Sequence, residues 1–249
     1  MRARFVCRAV FGGGREAGRP RAPRLDAGTY GLGALQREGD AGAIADQGMA
    51  SVGIEWFNWG AKDLRASINR LRASGADAVL LVANPAEGII AIKNMASLPA
   101  AARLPIFSHW GITGGEFFNS VGADALARVD LRFLQTYSFL RPPKPTRAAP
   151  VMDAYFRRFD DAARAEDIFS PVGTAHAYDL IHLLARAITR AGSVERSKVR
   201  DALEGLDVHA GLVRDYAPPF TPVRHDALDV TDFIMARFDD MGRIVPVEP

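Results

Sequence analysis

Residues 75–115, GADAVLLVANPAEGIIAIKNMASLPAAARLPIFSHWGITGG, constrain the fold more than any other part of the chain. Residues 78–83 form a short apolar run rich in Val and Leu, bounded by Asp77 and by Asn84-Pro85. Such a run suits a strand buried on both faces, as in a parallel sheet. Pro85 is placed to open a helix, with Asn84 as its cap, and Ile89, Ile90, Ile92 and Met95 give that helix an apolar side. Residues 104–107 are a second apolar run, which breaks into Ser108-His109-Trp110-Gly111. Strand, helix and strand in this order predict a βαβ unit with a right-handed crossover. Ligands of open α/β sheets sit in the crevice beyond the carboxyl ends of the strands. Asn84 follows one such end and Ser108, His109 and Trp110 follow the next, so a site is expected beside them.

The flanking segments extend the pattern. Leu35, Ile44 and Ala45 predict a helix that stops at Gly48, and Val52, Ile54 and Trp56 alternate as a half-buried strand. Phe57-Asn58-Trp59-Gly60 turns the chain, and Asp63 caps a helix with Leu64, Ile68 and Leu71 on one face. A short helix over 116–121 and a strand over 131–139 follow. Arg141-Pro-Pro-Lys-Pro145 is a stiff extended linker. Helices are predicted over 151–159, 171–191 and 194–206, the second with Ala177, Leu180, Ile181, Leu184 and Ile188 on one side. A second linker spans 217–222, a strand 231–238 and a tight turn 240–242. The fold class predicted is α/β, a doubly wound, mostly parallel sheet followed by three helices without strands of their own. The apolar faces of those helices need a sheet to pack on. Without one they predict exposed apolar surface, hence self-association or partial unfolding.

Composition narrows the function classes. With 48% hydrophobic and 24% charged residues the chain has the make-up of a soluble globular protein, and no run approaches the ~18 apolar residues of a membrane span. A single cysteine, Cys7, excludes an internal disulfide and a Cys-based zinc site within one chain. Residues 1–24 hold seven Arg and one Glu, a local +6 against the overall +2, which leaves −4 for the remainder. The basic excess therefore belongs to residues 1–28, an Arg/Gly/Pro-rich segment expected to be irregular or disordered. The other reading, a basic arm for nucleic acid or anionic lipid, lacks the aromatic–basic interleaving of a nucleic-acid surface, so no nucleic-acid partner is expected. No secretory signal is read there, because Arg8 interrupts Phe5-Val6-Cys7 and no apolar core follows.

No catalytic or cofactor motif is complete. Gly12-Gly13-Gly14 lacks the GK[ST] ending of a phosphate loop, and Gly31-Leu-Gly33 meets Gln36 where a dinucleotide fingerprint wants its third Gly. His176 and His182 are six apart and neither HExxH nor CxxC occurs, so no metal and no cofactor are expected; His176, Asp179 and His182 read as helix-surface or packing residues. Ser108-His109 invites a nucleophile-and-base reading. Adjacent residues on an extended segment point opposite ways, and no GxSxG elbow is present; labelling of Ser108 by a serine-directed covalent probe would favour a hydrolase. Tyr30, Asn84, Ser108, His109 and Trp110 together read as a binding wall, aromatic with a few hydrogen-bonding groups. The plainer reading of Trp110 is a core or lobe-edge aromatic.

YGLG at Tyr30, FNWGAKD, GADAVLL, NPAEG, PIFSHWG, AHAYDLIHLLARAI and RHDAL…RFDDMGRIVP, in this order and spacing, resemble the type I periplasmic binding proteins. Closest are the leucine/branched-chain amino-acid binding proteins of ABC importers, over residues 28–249. The resemblance implies two α/β lobes joined by three crossings and closing on a ligand like a hinged trap. It implies residues 29–139 with 222–249 as the second, ligand-binding lobe, and 140–221 as a helical remnant of the first. The family's earlier βα units and signal peptide would precede Tyr30, so a truncated or misread start is expected, with 1–28 outside the resemblance. In the family, the positions matching Tyr30, Asn84 and Trp110 contact ligand. Amino-acid binders carry Tyr at the Asn84 position and an acidic residue at the Trp110 position, which pairs with the ligand's ammonium. Trp110 cannot form that ion pair and could offer a cation–π face. A less charged or aromatic ligand is thus implied as readily as leucine.

The implied function is the solute-binding component of an ABC importer, with no bond made or broken and hence no enzyme. Tyr30 would stack or hydrogen-bond, Asn84 and Ser108 would make polar contacts, and Trp110 would be an apolar or cation–π wall beside His109. The implied partners are a small-molecule ligand and an ABC transporter membrane permease, without direct membrane insertion, and the full-length family member is periplasmic. The alternative is a ligand-sensing regulatory domain of the same fold acting through protein–protein contacts.

Overall fold

A computed structural model describes residues 2–9 and 50–247. They fall into two compact units, 1–133 and 134–249.

In the first unit, β1 (Arg2–Ala9), β2 (Ala50–Asn58), β3 (Ala78–Val82), β4 (Ile106–His109) and the start of β5 (Leu131–Gln135), the strand at which the unit ends, lie side by side in the order β2-β1-β3-β4-β5. β1 is antiparallel to both β2 and β3, and β3 is parallel to β4. β2, β3 and β4 therefore share one direction, and the α/β class with a mostly parallel sheet holds. β1 corrects the expectation of irregular chain for residues 2–9. Arg2-Ala3-Arg4-Phe5 alternates basic and apolar residues, a period that suits a strand, and the ladders on both sides of β1 satisfy its backbone. Residues 10–28, Tyr30 and the helix expected over 35–48 lie outside the described residues.

α1 (Arg65–Ala73) packs on β2 and α2 (Pro85–Ala96) follows β3. Leu64, Ile68 and Leu71 are buried as their spacing predicts. Asp63 accepts the Arg65 backbone N–H at 2.9 Å and so serves the start of α1. On α2, Ala91, Ile92 and Met95 are fully buried, while Ile89 and Ile90 are half-buried. α3 (Phe117–Val121) and α4 (Ala123–Leu126) pack against α2. Among the described residues no helix is long and apolar enough to cross a membrane.

The second unit contains α5 (Pro145–Arg158), α6 (Pro171–Ala191), α7 (Arg196–Glu204), a hairpin of β6 (His209–Ala210) and β7 (Asp215–Tyr216), and a second antiparallel pair, β8 (Ile234–Phe238) and β9 (Ile244–Pro246). The strand expected over 131–139 stops at Gln135, and the Ser138 hydroxyl accepts the Leu140 N–H in a turn at 3.3 Å. α5 starts earlier than its apolar pattern indicates because Pro145, with no N–H to satisfy, occupies its first turn. A cluster of Tyr137, Phe139, Ala148, Ile168, Ala175, Leu212 and Val213 forms the local core. α6 has the bounds expected but turns the other way. Val172, Ala175, Asp179, Leu183 and Ala187 are its buried side, whereas Leu180, Ile181 and Leu184 are 53%, 64% and 40% exposed.

Asp179 explains the orientation. Its carboxylate accepts the N–H groups of Leu212 at 2.5 Å and Val213 at 2.9 Å and the Tyr216 hydroxyl at 2.8 Å. The loop that drives Leu212 and Val213 into the core would otherwise bury two unpaired N–H groups. Gly211 permits the approach, since a Cβ there would lie 2.5 Å from the Tyr216 ring and 2.7 Å from the Asp179 carboxylate. On the other flank Arg147 donates to the Gly211 carbonyl and, with Lys144, to Asp215.

Candidate functional site

The strands of the first unit end together. Trp56 and Val82 both pair with Arg4 of β1, and the β3–β4 register, Val79 with Ile106 and Leu80 with Phe107, brings Val82 level with His109. Asn58, Asn84 and Gly111 follow two residues beyond that level. The carboxyl edge therefore presents the turn after Asn58, the start of α2 at Asn84-Pro85 and the turn over Trp110–Thr113.

The first turn of α2 ties these segments to one another. Glu87 is 3% exposed, and one of its carboxylate oxygens accepts the Gly60 N–H at 2.8 Å. Its other oxygen, Oε2, is buried without a hydrogen-bond partner among the described residues. A Cβ on Gly88 would lie 2.5 Å from Ile112, so only glycine lets the 110–113 turn close on the helix. Asn94, on the same helix, accepts the Leu64 N–H at 2.7 Å.

The five residues expected in a binding wall fare differently. Asn84 is exposed and extended at the head of α2, and its side chain makes no capping bond. Trp110 is 39% exposed and meets His109 edge-on, with 6.0 Å between ring centres. His109 is half-buried, and its Nδ1 accepts the Gly111 N–H at 3.0 Å. Burial pushes its pKa down, so the neutral ring carries its proton on Nε2 as a donor. Ser108 is buried, and its hydroxyl donates to the Leu81 carbonyl of the neighbouring strand at 2.7 Å. That bond gives the hydroxyl a role within the sheet. Tyr30 lies outside the described residues. The structure thus brings Asn84, His109 and Trp110 to one edge and turns Ser108 into the sheet. Sequence reasoning passed over Trp59, which is 40% exposed in the turn after β2, and Glu87, which holds that turn. Their only signal was a place just beyond a predicted strand and in the first turn of a predicted helix.

His176, read as a packing residue, sits in the second unit with its Nε2 2.8 Å from the Thr136 hydroxyl. Among the described residues no group of three or more His, Cys, Asp or Glu is arranged to hold a metal.

The family model described as periplasmic binding protein matches residues 25–228. The chain belongs to the periplasmic binding protein family. Solved structures carry the same fold. A periplasmic binding protein type 1 from Bordetella pertussis Tohama I is 21% identical, with a TM-score of 0.70 over 86% of this chain and 58% of that one. The leucine binding protein LivK from Thermotoga maritima is 18% identical, with a TM-score of 0.60 over 77% of this chain and 49% of that one. The branched-chain amino acid transporter substrate binding protein LivJ from Streptococcus pneumoniae, solved in complex with isoleucine, is 19% identical, with a TM-score of 0.56 over 78% and 51%. The chain therefore spans about half the length of these proteins. No curated protein sequence matches it.

Proposed function

We propose that this chain is the solute-binding component of an ABC importer, present here as about half of such a protein, and that it works by holding a small organic solute without making or breaking a bond. The observation that carries this reading is the match to the periplasmic binding protein family over residues 25–228. The edge that ends in Asn84, His109 and Trp110 supports it, because open α/β sheets bind ligands there. In this reading Asn84 supplies a polar contact, the His109 Nε2–H a hydrogen bond and Trp110 an apolar wall, with Tyr30 the further contact implied by the sequence. The solute is amino-acid-like or related, given the leucine and isoleucine named for two of the structural relatives. The division expected from the sequence, 29–139 with 222–249 as one lobe and 140–221 as a remnant of the other, is part of the proposal, as are the periplasmic location and the membrane permease as partner.

One lobe offers a ligand only part of its contacts and none of the gain from closure, so affinity is weaker than micromolar. Calorimetric titration with branched-chain and aromatic amino acids and small organic acids tests the reading. It predicts a saturable heat for at least one class, diminished in Asn84→Ala and Trp110→Ala. A heat that both variants reproduce would refute the site.

A further inference from the structure

Besides Trp110, and Trp56 at 38% exposure on β2 itself, the carboxyl edge holds an exposed indole in the turn after β2 that has no assigned role. Trp59 lies three residues beyond the level shared by Trp56, Val82 and His109, and Trp110 one residue beyond it, with Asn84, two residues beyond, following a strand that runs between theirs. Both are large apolar side chains left 40% and 39% exposed. Three strand spacings, about 14 Å at ~4.8 Å each, separate the backbones that carry them. The Trp59 turn is also held from below. Glu87, almost wholly buried, accepts the Gly60 N–H, and the helix that carries Glu87 follows directly on Asn84 and packs through Gly88 on the turn that carries Trp110. One helical turn thus ties the turn that carries Trp59 and the turn that carries Trp110 to the start of α2.

We propose that Trp59 is a ligand contact facing the same solute as Trp110, that Glu87 is a positioning residue that holds the Trp59 turn, and that this edge takes a planar, ring-bearing solute. This rests on the reading of the edge as the ligand site. Exposed aromatic faces flanking the Asn84 amide, with the His109 Nε2–H beside them, match a ring that bears polar groups better than a short aliphatic chain, because ring–ring contacts add to the area buried. Glu87 places a carboxylate beneath the edge without lending it a hydrogen bond at the surface.

The chain has three tryptophans, Trp56, Trp59 and Trp110, so its indole N–H resonances report on this region alone. They are assigned with Trp56→Phe, Trp59→Phe and Trp110→Phe and followed in the full 249-residue chain during titration to millimolar benzyl alcohol, benzoate and phenylalanine, with leucine as the ring-free probe. The expected result is a saturable, joint shift of the Trp59 and Trp110 resonances with at least one ring compound and a smaller response to leucine. Trp59→Ala weakens that binding about tenfold. A Trp110 response without a Trp59 response, or an unchanged affinity in Trp59→Ala, overturns the inference and leaves the solute-binding reading standing. A response to leucine alone does the same. Silence of both resonances to every probe overturns both. For Glu87, the Trp59 response is expected to disappear in Glu87→Ala and to persist in Glu87→Gln, which keeps an oxygen for Gly60. Glu87→Asp, too short to reach Gly60, keeps the charge and loses the same bond, and the Trp59 response is expected to disappear in it too. A Trp59 response that survives in Glu87→Ala or Glu87→Asp removes the positioning role, whatever the change in stability.

Discussion

Among the described residues of the second unit, Asp179 is the charged side chain buried most deeply. It is 1% exposed and accepts three hydrogen bonds, two of them from the N–H groups of the 211–214 loop. Removing a buried acceptor leaves its donors to bear the desolvation cost. Asp179→Ala is therefore expected to lower the stability of the fold by about 3–5 kcal/mol. Asp179→Asn, which retains one acceptor oxygen, is expected to lie between it and wild type, and urea titration orders the three. The histidines give a pH dependence. Burial lowers the pKa of His109, His176 and His209 below the ordinary 6.5. The unfolded chain then takes up protons before the folded one, so stability is complete above 6.5 and falls as pH drops through it. The melting temperature is expected to decrease between about pH 8 and about pH 5; a flat or rising profile would contradict it. The Asp215 clamp does not titrate in this window, since Lys144 and Arg147 hold its pKa down to about 2.

Among the elements, the βαβ unit was the most legible. Its strands announce themselves as unbroken apolar runs, and Pro85 marks the start of α2 at the residue where it begins. Ser108 shows the limit of such reading. The sequence places it at a strand end, but only the ladder reveals that its hydroxyl is bound to Leu81. Trp59 and Glu87 were missed because a turn residue and a helix residue 27–28 positions apart carry no common local signal. β1 was missed because its short alternation is embedded in an Arg- and Gly-rich segment that reads as irregular chain. The contact of α2 with the 110–113 turn yields a further prediction. Gly88→Ala places a methyl against Ile112, where a Cβ would lie at 2.5 Å. A cost of about 1–3 kcal/mol is expected, together with a shift of the Trp110 emission spectrum as the turn moves.

For the whole molecule, the periodicity of α6 identified an apolar stripe but not its fate. Leu180, Ile181 and Leu184 are exposed because Asp179, one position away, must reach the 211–214 loop. Exposed apolar stripes favour association, so the chain is expected to self-associate with rising concentration in sedimentation velocity, and Leu180→Lys with Ile181→Lys to reduce it. A monodisperse wild-type monomer with a sharp cooperative melt would contradict this. The solute is proposed to bind at the carboxyl edge of the first unit's parallel strands. The measurement that tests it most directly is a backbone amide shift map of the chain titrated with the same amino acids and organic acids. The largest changes are expected on residues 58–60, 84–88 and 108–114, at the carboxyl edge of the parallel strands. Changes confined to the opposite edge, at residues 75–78 and 103–106, or to the exposed stripe of α6, or no change with any solute, would contradict it.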